Sequence, residues 1–456
     1  MVTESDPGIE SAAARSASGQ YFGASATRPV TDLSSGAQRP VYRYYVLLLL
    51  LVVYCFSYID RQIIAVLSPQ IKAEFGLTDS QLGALKGLAF SLFYTTMAIP
   101  LAIVSDRWNR VKLITVALSF WSIVTAACGF TQSFVQMFAA RSAVGIGEAA
   151  GNPASHALLS DYFRRGERAT ALGIYQLGVP LGTLISFLFG SWVATTLGWR
   201  MAFVVVGLPG LVLAMLVRFT VRELPRGAAD DSPASPKAER ERKPWLGQVI
   251  ALLRIPSFRL VAIAGGLQAF GGYAMMMWLL DLSVRMHGTT IQSAAATAAI
   301  VLGVGGGIGT FGGGFIVDHF GKKSTANYFV VPGLAMLLSG PLLFAGLWVA
   351  PVAGAPLMFL AFLFLFACMG PFYGMVQMLA PRDSRALAVA TFSLSLSILG
   401  AGLGPFLIGA FSDLLQSSLS EAEALRWALC IVPLSACAAG VLLLAKNKQI
   451  VTDLGR

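Results

Sequence analysis

Twelve apolar runs, each long enough to cross a lipid bilayer, constrain this chain more than any other feature. A spanning helix needs about 20 mostly apolar residues. Runs of that kind fall at 45–68, 81–104, 111–131, 134–159, 169–195 and 199–217, and again at 258–284, 291–317, 326–349, 355–379, 386–415 and 424–445. Only 12% of the 456 residues are charged, about half the share of a soluble domain, so the chain lacks a water-facing surface. Backbone groups in lipid must be satisfied within each segment or in a closed barrel. Runs of helical length select an all-α membrane protein, excluding a soluble enzyme or a nucleic-acid binder.

The net charge of +10 is explained by topology. With both termini in the cytoplasm, 26 of the 33 Lys and Arg fall in tails and cytoplasmic loops. Lys72, Arg200, Arg285 and Arg426 fall outside, and Arg61, Lys86 and Arg141 are embedded. The positive-inside rule selects that orientation, expected in a bacterial inner membrane. The expected divisions are a disordered tail (1–42), a six-helix bundle (43–220), a linker (221–256), a second six-helix bundle (257–446) and a short tail (447–456). The five cysteines all lie in apolar segments and read as small buried hydrophobes.

The halves resemble each other. Ser105-Asp106-Arg107-Trp108-Asn109-Arg110 follows the second run, and Val317-Asp318-His319-Phe320-Gly321-Lys322-Lys323 follows the eighth. Gly151-Asn152-Pro153 in the fourth run answers Gly370-Pro371 in the tenth, with Arg168 and Arg385 opening the next helices. Internal repeats place a substrate site between the halves near the midplane. The Asp106 loop resembles the signature loop of the major facilitator superfamily, and the second copy, with Gly314, Asp318, Gly321, Lys322 and Lys323, matches it better. The first copy has Ala102 and Asn109 where glycine is usual. Asn109 is expected to take the left-handed turn that asparagine tolerates. Asp106, Arg107, Arg110, Asp318, Lys322 and Lys323 are the expected conformational latch. The fold expected is two pseudo-symmetric six-helix bundles.

Ionisable groups inside the apolar runs carry the chemistry. Asp60 and Arg61 interrupt the first helix; Arg141 and Glu148 lie seven residues apart on one face of the fourth. Each such group costs roughly 2.5–3.5 kcal/mol at midplane even on the mild insertion scale. Two acids and two arginines at neighbouring depths therefore point to one compensated cluster, suited to taking up and releasing a proton. Here the sequence resembles spinster-type transporters: Tyr58-Ile59-Asp60-Arg61, Pro69-Gln70-Ile71, Phe75 to Gly83, Arg141-x-x-x-Gly145-x-Gly147-Glu148-Ala149 with Pro153-Ala154, and Ser160 to Phe163. The resemblance is specific in the first half and superfamily-level in the second. It implies proton coupling at Asp60 and Glu148, with Arg61 and Arg141 as partners or headgroup contacts, and a lysophospholipid or sphingoid-phosphate cargo. The alternative is a drug or organic-anion exporter of the same superfamily.

The second half offers apolar and aromatic groups instead. Gln268, Tyr273, Met277 and Trp278 on the seventh helix are the expected cargo contacts beside Arg61 and Arg141, and Asp281 and Arg285 an i, i+4 pair. The glycines of the eighth helix, Gly303 to Gly314, are expected to let neighbours approach. Gly145-x-Gly147-x-x-x-Gly151 follows no strand and has the wrong spacing for a dinucleotide site. His156 and Asp161, five apart, point about 140° away from each other on a helix and cannot form a dyad. No Walker A motif or metal-ligand cluster is present in the sequence. The expected partners are the bilayer, a small amphiphile and protons, with no cofactor, no metal and a monomeric chain.

Overall fold

The computed structural model describes residues 40–229, 245–381 and 384–446; residues 1–39 of the proposed N-terminal tail, residues 230–244 of the linker and the tail at 447–456 lie outside them. The described residues are helical throughout, with no strand. The first half contains α1 (Pro40–Phe75), α2 (Asp79–Gly83), α3 (Ala89–Arg107), α4 (Arg110–Cys128), α5 (Phe134–Glu148), α6 (Gly151–Tyr162), α7 (Arg165–Gln176) and α8 (Gly178–Thr220). The second contains α9 (Trp245–Arg254), α10 (Pro256–His287), α11 (Ile291–Ala298), α12 (Gly306–Gly321), α13 (Asn327–Trp348), α14 (Pro351–Ala367), α15 (Met369–Leu379), α16 (Arg385–Ser395), α17 (Gly404–Leu415), α18 (Glu421–Leu429) and α19 (Ile431–Ala445). Among the described residues, ten continuous helical stretches are long and apolar enough to span a bilayer. One of them runs through α8, which turns over at Gly198, where φ is 83°. The fourth run is broken between α5 and α6 at Ala149-Ala150 and so does not count as one long helix. Twelve passes are consistent with both features.

Local signals explain the ends. Thr78 caps α2 by accepting from the Gln81 amide, while the Gln81 side chain accepts from the Thr78 amide, a reciprocal capping box. Asn109 caps α4 by accepting from Lys112 N at 2.7 Å. Its φ of −70° corrects the expected left-handed turn: the side chain serves as a cap, which glycine could not supply. The repeat extends further than the loop motifs. Gly76 and Gly288 end α1 and α10 with φ of 63° and 59°, each followed two residues later by a capping threonine, Thr78 and Thr290. These pairs are 212 residues apart, as are Asp106 and Asp318.

Within the first half α8 packs on α1 and α4; within the second α13 packs on α14 and α19. Gly309 and Gly313 set the α12 backbone against Leu363 and Ala367 of α14, with no room for a Cβ. Across the halves α1 meets α10, α2 meets α17, and α8 meets α11 and the π-helical segment Ala299–Gly305. Four of the five free cysteines are buried and Cys437 is half-buried. Exposed Leu, Ile, Phe and Trp side chains cover the outside, Phe219 and Phe315 among them, as a lipid-facing belt requires.

Two faces follow from the helix ends. The terminal face carries Pro40, Thr220, Pro256 and Ala445; the far face carries Phe75, Asp79, His287 and Glu421. At the far face Gly83 lies against the Pro405 backbone and Gly409 against the Asp79 backbone, so that α2 and α17 touch main chain to main chain. A Gly409→Ala substitution has no space in this arrangement. It is expected to raise labelling of a Ser80→Cys thiol by a membrane-impermeant maleimide severalfold; unchanged labelling would show that this contact does not hold the far face together.

Candidate functional site

The embedded charges form two separate ion pairs. Asp60 Oδ1 accepts from an Arg141 terminal nitrogen at 2.8 Å, and its Oδ2 accepts from Thr125 Oγ1 at 2.5 Å. Ser57 and Arg61, one turn apart on α1, both donate to Glu148 Oε2, at 2.6 and 2.7 Å. Consecutive residues on a helix point about 100° apart, so Asp60 and Arg61 reach different partners. Arg141 and Glu148, two turns apart on α5, receive them. The side chains of Arg141, Asp60 and Glu148 are 1%, 3% and 0% exposed, whereas that of Arg61 is 17% exposed. The Arg61 guanidinium also lies over the rings of Tyr58, Phe90 and Tyr94, 4.6–5.1 Å from their centroids, a cation–π cage. Glu148 Oε1 and Arg141 Nε are buried without a hydrogen-bond partner.

A cavity adjoins this cluster through Tyr58. Gln268, Ala269, Gly272, Tyr273 and Met276 of α10 line it, with Val179, Phe366 and Met369. Of the four cargo contacts expected on α10, Gln268 and Tyr273 are on this wall. Met277 and Trp278 lie in the seal between the halves: the Met277 carbonyl accepts from Lys86 Nζ at 2.9 Å and Lys86 Nζ lies over the Trp278 ring, whose Nε1 donates within its own half to the Pro405 carbonyl at 2.9 Å. A small crevice reaches Asp60 from another side, between Trp121, Ser122, Thr125 and Gly207.

That seal is the feature sequence reasoning missed. Lys86 Nζ bonds Asp281 Oδ2 at 2.5 Å, with side-chain exposures of 0% and 1%, and lies 3.9 Å from the Trp278 ring centroid. Arg285 makes a bidentate contact with Asp79, both bonds 2.8 Å, and reaches Asp281 only at 3.9 Å. The expected i, i+4 pair is thus the weaker contact, because Asp281 and Arg285 each find a partner in the other half. Lys72 bridges Asp79 and Glu421 at 2.7 and 2.8 Å, and Asp413 accepts from the Asp79 and Ser80 amides at 2.8 Å. Lys86 alone on the second helix read as an isolated embedded charge; the signal was its acid counterpart Asp281 at similar depth on the seventh. The π-helical turn Ala84–Leu88 carries Lys86, and such turns recur at functional positions.

At the terminal face the latch residues have different surroundings. Arg110 is buried and paired with Asp161 at the end of α6, and Asp161 Oδ1 accepts from the Gly227 amide at 2.7 Å. That use of Asp161 agrees with the dismissal of a His156 dyad. Arg107, Asp318, Lys322 and Lys323 are exposed; the Asp106 side chain lies outside the described residues.

Residues 50–405 match the Major Facilitator Superfamily. The chain belongs to that superfamily. It is similar to an MFS-type efflux pump of Mycolicibacterium smegmatis, 29% identical over 384 residues that cover 82% of this chain and 86% of the relative. It is also similar to the mouse sphingosine-1-phosphate transporter SPNS2, 26% identical with 87% of this chain and 76% of that protein covered. Among solved structures it matches a bacterial homologue of the human lysosomal transporter spinster, in an inward-facing and unoccupied conformation. That match has a TM-score of 0.82 and 28% identity, over 91% of this chain and 99% of the other. The chain is therefore a spinster-type superfamily member, an integral multi-pass membrane transporter and not an enzyme.

Proposed function

We propose that this spinster-type transporter is proton-coupled and moves an amphiphilic anion, of lysophospholipid or sphingoid-phosphate type, by alternating access. The observation that carries the reading is the pair of ion pairs at the cavity edge, in which Arg61 is the most exposed of four buried charges. The cluster is neutral as it stands, with two acids and two arginines. A neutral cluster in a low-dielectric site has no charge to offer an anion. Protonation of Glu148 frees Arg61 and leaves one positive charge facing the cavity. Proton and anion then favour each other, as linkage requires. Asp60, paired with Arg141 and reached by its own small cavity, is the second proton site.

The cavity supports the amphiphile: Tyr58, which the Arg61 guanidinium covers, lies at one edge, and Met276, Phe366 and Met369 with the Tyr273 ring form a largely apolar wall. A relative that carries sphingosine 1-phosphate points the same way. The far-face ion pairs make the state described here inward-facing, with Asp106, Arg107, Arg110, Asp318, Lys322 and Lys323 as the latch that engages when the terminal face closes. Met277 and Trp278 contribute to the seal beside the cargo wall. The chain resides in the bacterial inner membrane with both termini and the 221–256 linker cytoplasmic, and works as a monomer of two six-helix bundles.

The second reading, a drug or organic-anion exporter, is favoured by the efflux-pump relative. One proteoliposome screen separates the two. Lysophospholipid or sphingoid-phosphate flux, stimulated several-fold by an imposed proton gradient, is the expected outcome. Flux of hydrophilic anions or drugs alone selects the exporter, and flux indifferent to the gradient removes proton coupling.

A further inference from the structure

The wall of the cavity contains an acceptor with nothing to accept. Gln268 is 1% exposed and lines the cavity. Its Nε2 donates to the Leu365 carbonyl at 3.1 Å, while its Oε1 is buried with no hydrogen-bond partner. The two amide ends are not interchangeable here. Turning the carboxamide over would set its oxygen against the Leu365 carbonyl oxygen, two acceptors face to face. The Leu365 bond therefore fixes Oε1 as the free end. Gln62, on α1 of the other half, repeats the arrangement. It is 1% exposed, its Nε2 donates to the sulfur of Met276, a cavity residue, at 3.0 Å, and its Oε1 also has no partner.

A buried amide oxygen without a donor costs free energy that a well-packed interior avoids. Tyr58 and Tyr273 also line the cavity and carry O–H groups, yet neither hydroxyl bonds Oε1, and Ala269, Gly272, Met276, Phe366 and Met369 carry no side-chain N–H or O–H group.

We propose that Gln268 Oε1 is a specificity-determining acceptor that takes an N–H or O–H donor of the cargo, so that the transported amphiphile bears an ammonium or hydroxyl group as well as its anion. This rests on the amphiphilic-anion reading above and deepens it, by assigning the residue that recognises the hydroxyl or ammonium group such amphiphiles carry. Arg61 takes the anionic group, the Tyr273 and Phe366 wall takes the chain, and Gln268 takes the donor. A site built to satisfy a polar group discriminates against an analogue without it, because the site's own polar atom is then left unpaired.

Three matched phosphodiesters test it: ethyl hexadecyl phosphate, 2-hydroxyethyl hexadecyl phosphate and 2-aminoethyl hexadecyl phosphate. They share chain and phosphodiester charge and differ in the donor. Binding is measured calorimetrically on the full chain in nanodiscs. The expected result is that at least one donor-bearing probe binds about tenfold or more tightly than the ethyl compound, and the tighter of the two identifies hydroxyl or ammonium. Gln268→Leu should bring all three within about twofold. Equal binding of all three by the wild-type chain overturns the donor assignment and leaves the amphiphile reading intact. Discrimination that survives in a folded Gln268→Leu variant also overturns it. Binding of none of the three overturns both readings. The wild-type ranking needs no variant, so a misfolded Leu variant does not rescue the proposal.

Discussion

Lys86→Met is expected to move most molecules out of the state described here, whereas Lys86→Met combined with Asp281→Leu is expected to leave them in it. Lys86 and Asp281 are both buried and belong to different halves. Removing one member strands the other: Asp281 would keep only the Ser68 hydroxyl at 2.7 Å and the distant Arg285. Breaking a buried pair in this way costs about 3–5 kcal/mol, whereas replacing both members with apolar groups is often neutral. In a protein that alternates, the cheapest escape is to separate the halves and let water reach Asp281, not to unfold. A penalty of that size shifts a two-state equilibrium by roughly 10²- to 10⁴-fold. Spin labels at exposed Ala73 and Ser418 would report it: the distance distribution lengthens in the single variant and returns in the double. A single variant that keeps the wild-type distribution would mean that Asp79 and Arg285 hold the face without Lys86.

Glu148→Gln is expected to remove the pH dependence of anion binding. In the wild type Glu148 holds Arg61 at 2.7 Å, so an anion must compete with a carboxylate for the guanidinium. The sign follows from which form competes. Ionised Glu148, present at higher pH, opposes the anion; protonated Glu148, present at lower pH, does not. Wild-type affinity therefore rises as pH falls, by up to about tenfold per unit while Glu148 titrates, since one proton is taken up per anion bound. Arg61 stays charged throughout. Glutamine keeps the Ser57 bond and the shape but does not compete, so the variant should bind as tightly at pH 8 as the wild type does in acid. Binding of an alkyl phosphodiester, which does not itself titrate near neutrality, measured from pH 5 to 8, checks this. A Glu148→Gln variant with the wild-type slope would assign the proton elsewhere.

Much of this site was legible before any coordinates. Hydropathy runs pointed to an all-helical membrane fold, and the cost of a charge in lipid made Asp60, Arg61, Arg141 and Glu148 conspicuous. The seven-residue spacing placed Arg141 and Glu148 on one face, and the structure pairs each with one of the α1 charges. Legibility ended where partners lie far apart in sequence. Asp281 and Arg285 looked like partners because they are one turn apart, yet Lys86 and Asp79, roughly 200 residues away, bind them more closely. Short-range spacing describes one helix; it does not show which helix of the other half lies alongside. Trp278 was grouped with the cargo wall for the same reason. Tyr273 and Trp278 are five residues apart, so on a helix they face well apart, and Trp278 turns to Pro405 in the seal. Asn109 differed for another reason: its side chain acts as a helix cap, which the glycine comparison did not suggest.

Proton-driven alternation is the central claim, and interhalf distances in an Asp60→Asn/Glu148→Gln double variant test it most directly. The labels at Ala73 and Ser418 would be read between pH 5 and 8. The account predicts that the wild-type populations shift across this range and that those of the double variant do not. A double variant whose distances still follow pH as the wild type's do would contradict it.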